Sequence, residues 1–438
     1  MRTSRRERIS RGSRRNLVDD KDKLEEVLDS NGDVKRVADL TFDHGILGKG
    51  SYGTVRLARR PVRSRKQVDP PSEPPPPSNM LLKSASVRNL LSVAKDIMGM
   101  SRRLLNVTND DDEQEEEELV AVKIFRKSTL KRTKSFERSK ASRRMLVKTA
   151  WMNVEREIAI CKKLSHPNLV KLHEVLSPES DMLYMVLEYC QLGEILTFQT
   201  QDKMFRREGS TEGMNMVDGH FQPDTAALFM VDILHGLAYL HDNHIAHRDL
   251  KPENILISQT PAGVPIAKLS DFGVAHMFEN QEQSSCNADD AALSPQELVH
   301  KYSQRALSNV SNCQDTVTST EGTMVFWSPE MCQGRKEFSA FSADVWAAGV
   351  CFYIFVSGRL PFFDELEIDL IEKIANSDVP LDSLGGVCDS LMSLLRTVLN
   401  PDPTKRATVG DCLQHPFLKE ASAARMLHLS NKCEKGSA

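Results

Sequence analysis

Three things are missing from this chain of 438 residues. No two of its nine cysteines form a CxxC pair. That argues against a zinc site or a disulfide framework and suits a reducing compartment. No charge of one sign dominates: 57 Lys and Arg against 61 Asp and Glu leave a net −4, so nothing global calls for nucleic acid. No apolar run spans a bilayer. The longest strongly apolar stretch, VWAAGVCFYIFV at 345–356, falls short of the roughly 20 residues a helical span needs. The length leaves room for two lobes and long inserts.

What the chain does carry is concentrated at 247–254, HRDLKPEN, and at 270–273, SDFG. Asp249, Lys251, Asn254 and Asp271 are the side chains that phosphoryl transfer asks for. An Asp accepts a hydroxyl proton, a Lys neutralises the moving phosphate, and an Asn and a second Asp offer hard oxygen ligands to Mg²⁺. Upstream, GKGSYGTV at 48–55 places Gly48, Gly50 and Gly53 where backbone N–H groups can approach phosphates without a Cβ in the way. GxGxxG alone also fits a dinucleotide fold, but no ribose-binding acid follows at the right distance in a compact βαβ unit. LVAVKIF at 119–125 reads as a strand carrying Lys123, and WMNVEREIAICKKL at 151–164 as a helix with an apolar stripe of Val154, Ile158, Cys161 and Leu164. At 100° per residue Glu157 borders that stripe and Glu155 points off it, which makes Glu157 the expected partner of Lys123.

Taken in this order, these strings resemble the eukaryotic protein kinases. The resemblance implies an α+β, bilobal fold: a small antiparallel-sheet lobe with one main helix, and a larger, mostly helical lobe. It implies ATP and Mg²⁺ as cofactors. Asp249 and Lys251 would be catalytic. Leu47, Gly48, Gly50, Gly53, Val55, Ala121, Lys123, Glu157, Glu188, Cys190, Glu194, Asn254 and Asp271 would surround the nucleotide, with Asn254 and Asp271 holding the metal. Leu187 would take the gatekeeper position, Glu188 and Cys190 would bond adenine through their backbones, and Glu194 would take the ribose, an exposed loop carboxylate being the alternative. Lys251 two residues after Asp249, with Thr323 in EGTMVFWSPE, matches serine/threonine enzymes. Asp344 resembles the buried Asp that holds the catalytic loop, and Glu330 and Arg406 resemble a buried ion pair.

Composition divides the chain. Residues 1–41 read as a basic and polar tail without fixed structure, with an organelle-targeting role for 1–16 left open. Residues 42–418 read as the kinase-like domain: a small lobe at 42–188 with an insert at 60–118, and a large lobe at 189–418 with an insert at 279–316. Residues 199–222 read as a polar loop and 419–438 as a short C-terminal tail. The first insert begins proline-rich at 69–78 and ends in an acidic run at 110–118, neither of which builds a core. Between them, 81–107 has the pattern of a basic amphipathic helix, suited to calmodulin or a membrane surface, or to docking on its own lobe, the alternative being an insert without fixed structure that carries some apolar residues. The second insert has the composition of a mobile loop. Arg248 can accept a phosphate from Thr318, Ser319 or Thr320, or these are plain loop polarity.

Softer strings, VEREIAICKKLSHPNLVKLHEVL, YMVLEYCQLGEI and SDFGVAHMFE, are similar to the calcium/calmodulin-dependent protein kinase kinases and to the fungal and plant kinases that activate the AMP-activated kinase family. The expected substrate is therefore another kinase, in the cytoplasm or also the nucleus. A serine/threonine kinase of another branch and a pseudokinase scaffold without turnover are the rival readings. Two departures bear on regulation: the tail is short for an autoinhibitory segment, and the small-lobe insert precedes LVAVKIF, whereas the animal enzymes carry theirs after it.

Overall fold

The computed structural model describes residues 26–29, 34–50, 52–61, 117–138, 145–260, 262–278, 293–308 and 315–430. The basic arm 1–16, the proline run and the amphipathic stretch 81–107 with its calmodulin reading lie outside the described residues. The chain divides into two compact units, Met1–Ala58 with Leu119–Ala438, and Arg59–Glu118. Of the second, little more than the two ends is described; there Arg60 Nη2 pairs with Glu118 Oε2 at 2.7 Å.

The first unit holds both lobes. Up to Glu188 the described residues hold nine strands, with two helices among them: β1 (Glu26–Leu28), β2 (Val34–Val37), β3 (Leu40–Lys49), β4 (Gly53–Pro61), β5 (Glu117–Arg126), β6 (Lys134–Arg138), β7 (Met145–Thr149), β8 (Leu172–Leu176) and β9 (Met182–Glu188). Seven form one sheet in the order β1-β2-β3-β4-β5-β9-β8, while β6 and β7 pair as a separate antiparallel hairpin. Side-chain alternation along β5 does the positioning. Val120 and Val122 enter a cluster with Val37, Leu40, Phe42, Tyr184 and Val186 on one face. Lys123 and Phe125 take the other. In the helix Ala150–Cys161, Val154 and Cys161 are buried two turns apart with Glu157 between them, itself 5 % exposed.

Ten helices are described: α1 (Lys127–Arg132), α2 (Ala150–Cys161), α3 (Pro223–Asp242), α4 (Pro295–Ser308), α5 (Pro329–Cys332), α6 (Ala340–Ser357), α7 (Glu367–Asn376), α8 (Asp389–Val398), α9 (Val409–Gln414) and α10 (Pro416–Ser430). The large lobe is built on α3 and α6, which pack on each other and are buried along most of their length. The apolar run at 345–356 lies within α6. By length and composition α6 could cross a membrane, but most of it is buried in the fold, as a core helix should be.

Four boundaries differ from expectation. The sheet begins at Glu26, not near 42. Strands β1 and β2 are three and four residues long, too short for period-two alternation to stand out, yet Val37 is fully buried and Tyr184 Oη donates to Glu26 Oε1 at 2.6 Å. The polar stretch 199–222 is folded into two hairpins, Thr197–Gln199 with Met204–Arg206 and Met216–Val217 with His220–Phe221. Within the insert 279–316, expected to be a mobile loop, α4 packs on α3. Leu298, Val299 and Tyr302 are buried, and the Tyr302 ring meets Tyr239 edge-on at 4.6 Å between centroids. Its start carries a capping signature: Ser294 N–H donates to Glu297 Oε2 at 2.7 Å and Glu297 N–H to Ser294 Oγ at 3.3 Å.

The fourth difference is at the C-terminus. Residues 419–430 continue α10, which packs along α3. Leu418, Ala421 and Arg425 fall on one face and are buried. Arg425 Nη2 meets Asp232 Oδ2 at 2.8 Å with both side chains 3 % exposed, and Asp232 also accepts from Ala267 N–H at 2.9 Å. Removing one partner of such a pair strands a buried charge. Arg425→Met should lower unfolding free energy by about 3–5 kcal/mol in urea titrations; a loss below about 1 kcal/mol would mean α10 is not anchored there.

Candidate functional site

The backbone of HRDLKPEN is fixed from below. Asp344, near the start of α6 and 1 % exposed, accepts from two successive backbone N–H groups: His247 N to Oδ2 and Arg248 N to Oδ1, both 2.8 Å. Its Oδ2 also meets His241 Nε2 at 2.9 Å. Arg248 adopts φ +67° and Asp271 φ +59°, left-handed values uncommon for side chains with a Cβ. These outliers sit at the two motifs named from sequence. The motifs are also joined directly: Ser270 N–H donates to Asn254 O at 2.9 Å, and His247 Nε2 lies 3.0 Å from Ser270 O.

Above this frame the polar groups converge. Asp249 Oδ1 accepts from both the N–H and the hydroxyl of Thr323 at 2.9 Å. Its Oδ2 meets Lys251 Nζ at 2.9 Å and Asn254 Nδ2 at 3.1 Å. Lys251 Nζ donates in turn to Thr323 Oγ1 at 2.8 Å, and Asn254 Nδ2 donates to Asp249 O at 2.7 Å.

Opposite lies Lys123, whose Nζ is 2.6 Å from Glu157 Oε1 and 3.5 Å from Asp271 Oδ1. Burial works against its charge, but Glu157 and Asp271 outweigh it and raise the ammonium to about 12. At Asp271 burial pushes the carboxyl up, and Lys123 with the Gly273 N–H more than reverses this, holding it below the usual carboxylate range. Both groups are therefore ionised at neutral pH. The glycine-rich turn closes with Gly50 N–H to Gly53 O at 2.9 Å. A Cβ at Gly53 would stand 2.3 Å from Ile124 O, whereas one at Gly48 would meet no atom within 4 Å. Gly53 is thus required by the strand beneath, and Gly48 leaves its surroundings open.

The remaining expected residues fall in three places. Ala121 is buried on β5 opposite Leu187 of β9, and Val55 is half-buried. Leu47 is exposed. Glu188 pairs with Lys268 at 3.1 Å through its side chain, and its backbone N–H donates to Lys171 O at 2.9 Å. Cys190 is buried, and that burial with Glu188 pushes its thiol up to about 12, which disfavours the thiolate. Glu194 stands at the surface beside Leu256, where partial desolvation, together with Glu253 and Glu208, pushes its carboxyl up. The Glu330–Arg406 pair is bidentate, 2.8 Å on both arms, and completely buried. Glu321, which pairs with Arg248 at 3.4 Å, was not singled out by sequence; its only signal is its place one residue before Gly322.

Because Asp344 satisfies two adjacent buried N–H groups, Asp344→Ala leaves both without an acceptor, at a cost of about 1–3 kcal/mol each. Chemical denaturation should report a stability loss of at least about 2 kcal/mol; an unchanged midpoint would contradict this role.

Comparison with known proteins agrees with this geometry. The protein kinase domain family matches residues 110–418. SNF1-activating kinase 1 of Saccharomyces cerevisiae is 33 % identical over 68 % of this chain and 26 % of its own length. A calcium/calmodulin-dependent protein kinase kinase of Caenorhabditis elegans is 32 % identical over 64 % of this chain and 42 % of its own. GRIK1 of Arabidopsis thaliana is 31 % identical over 65 % and 59 %. The chain thus spans between about a quarter and three-fifths of these relatives. With the catalytic loop, the SDFG turn, the Lys123–Glu157 pair and the family match all in one fold, the chain belongs to the protein kinase domain family.

Proposed function

We propose that this chain is a serine/threonine protein kinase that moves the γ-phosphate of ATP onto a threonine in the activation loop of another kinase. The observation that carries the reading is the convergence on Asp249: one carboxylate braced by Lys251, Asn254 and Thr323, facing the ionised Lys123–Asp271 pair.

The residues present suit a nucleotide-borne metal. Among the described residues no three His, Cys, Asp or Glu side chains gather to hold a metal by themselves. Asn254 and Asp271 offer an amide and a carboxylate oxygen, the sparse oxygen set that Mg²⁺ takes when phosphates and water complete its shell. Asn254 uses its Nδ2 on Asp249, which leaves its Oδ1 as the atom that would hold the metal. Bound there, the metal would neutralise charge on the phosphates.

The chain's own steps follow. Lys123, held by Glu157, grips the α- and β-phosphates. Asp249 orients the substrate hydroxyl and takes its proton as the oxygen bonds to the γ-phosphorus and the bond to the β-phosphate oxygen breaks. Lys251, already against Asp249, offsets charge on the transferring group. Thr323 holds the Asp249 carboxylate in place through two hydrogen bonds. The choice of a kinase as substrate is supported by the names of the yeast and worm relatives. The worm relative is also named for calmodulin, and 81–107 is the segment on which calmodulin would act here.

Purified chain with labelled ATP and Mg²⁺ should phosphorylate a catalytically dead AMP-activated-type kinase at its activation-loop threonine, and not its Thr→Ala variant. Asp249→Asn should cut the rate at least ~100-fold while ATP affinity stays within threefold. Transfer no faster than in Asp249→Asn would overturn the reading.

A further inference from the structure

Helix α4 belongs to the long stretch between SDFG and Thr323, yet it packs on α3, a helix that carries none of the site's side chains. Arg305 Nη1 meets Asp242 Oδ2 at 2.8 Å. Arg305 and Lys301 also lie over the Tyr302 ring, at 5.6 and 5.3 Å from its centroid. Tyr302, 2 % exposed, reaches Tyr239 edge-on at 4.6 Å. The Tyr239 ring stacks on His166 at 5.0 Å and 29°, and its Oη accepts from Ser165 N–H at 3.0 Å. One buried tyrosine of α3 thus joins α4 to the turn that follows α2.

That turn, residues 165–170, ties together the two elements whose carboxylates hold Lys123. Helix α2, which carries Glu157, leads into it. The strand Pro265–Leu269, which leads into Ser270 and Asp271, is bonded to it. Asn168 Nδ2 donates to Ala267 O at 3.0 Å, Leu269 N–H to Asn168 O at 2.9 Å, and Val170 N–H to Leu269 O at 2.9 Å. Within the turn, His166 Nδ1 accepts from Asn168 N–H at 3.2 Å. Lys123 pairs with both Glu157 and Asp271, so a shift of this turn changes the spacing of the two carboxylates that share it.

We propose that Tyr302 is a positioning residue for phosphoryl transfer: through Tyr239 it holds the turn 165–170, and with it the placement of Glu157 and Asp271 about Lys123. The inference rests on the reading of Lys123 as the group that grips the ATP phosphates. An edge-on ring contact is directional, so losing the Tyr302 ring frees Tyr239 to move as well as leaving a void. A misplacement of about 1 Å far from the chemistry can cost ~100-fold in rate, so a ring remote from the cleft can govern turnover.

The test uses the full chain. Tyr302→Ala should lower kcat/KM for ATP at least fivefold, with KM for the protein substrate changed less than twofold. Tyr302→Phe, which keeps the ring, should stay within twofold of wild type. In a Glu157→Gln background, Tyr302→Ala should cost less than a further twofold, because the pair it positions is already broken. Amide hydrogen exchange gives a readout that needs no turnover. Peptides over 165–170 and 265–271 should exchange at least fivefold faster in Tyr302→Ala, and those over α6 should not change. An unchanged kcat/KM for ATP, unchanged exchange at 165–170, or the same loss with and without Glu157 would overturn the proposal. If Tyr302→Ala fails to fold, Tyr239→Phe decides. It removes the hydroxyl that accepts from Ser165 N–H and should show the same loss confined to ATP; an unchanged value would overturn the proposal. Absence of transfer by wild type would count against the kinase reading, and the exchange result would then decide by itself whether Tyr302 holds the turn.

Discussion

The buried carboxylate of Asp344 determines where the catalytic loop can lie. It sits in a helix enclosed by the large-lobe core and takes both N–H groups at the start of HRDLKPEN. A left-handed Arg248 costs on the order of 1–3 kcal/mol and persists only where its surroundings over-determine it. Asp344 on one side and Gly322 on the other supply that constraint. Once Arg248 is turned this way, Asp249 faces Thr323 and Lys251, and Asn254 folds back onto it.

The electrostatics follow from this placement. Two cationic centres are each shared between acceptors. Lys123 lies between Glu157 and Asp271, and Lys251 between Asp249 and Thr323. The environment keeps Lys123 charged and Asp271 ionised at neutral pH. Such pre-set charge is worth most where water is excluded and nothing must reorganise during the reaction. The cleft is therefore prepared for a polyanion and a divalent cation together.

Much of the site was legible in sequence because its signals are local. The three-residue spacing from Val154 put Glu157 on the apolar face of α2, and period-two alternation turned Lys123 away from Val120 and Val122; the two meet at 2.6 Å. Thr323 and Asp344 came through the family resemblance, not through periodicity. What sequence reading did not find depended on tertiary contact. Strands β1 and β2 are too short to announce themselves. Helix α4 hid in a polar insert, although Ser294 and Glu297 carried a capping signal that could have located it. Helix α10 gained its place from Asp232, nearly 200 residues away in the chain. Glu321 has no periodic or motif signal; only its contact with Arg248 sets it apart.

The central claim is that Lys123 and Asp271 share one metal-bound triphosphate. Calorimetric titration of ATP into wild type and Asp271→Asn, with and without Mg²⁺, tests it most directly. The account predicts that Mg²⁺ tightens binding to wild type at least tenfold and that Asp271→Asn loses this gain. Equal ATP affinity in the two proteins, with no dependence on Mg²⁺ in either, would contradict it.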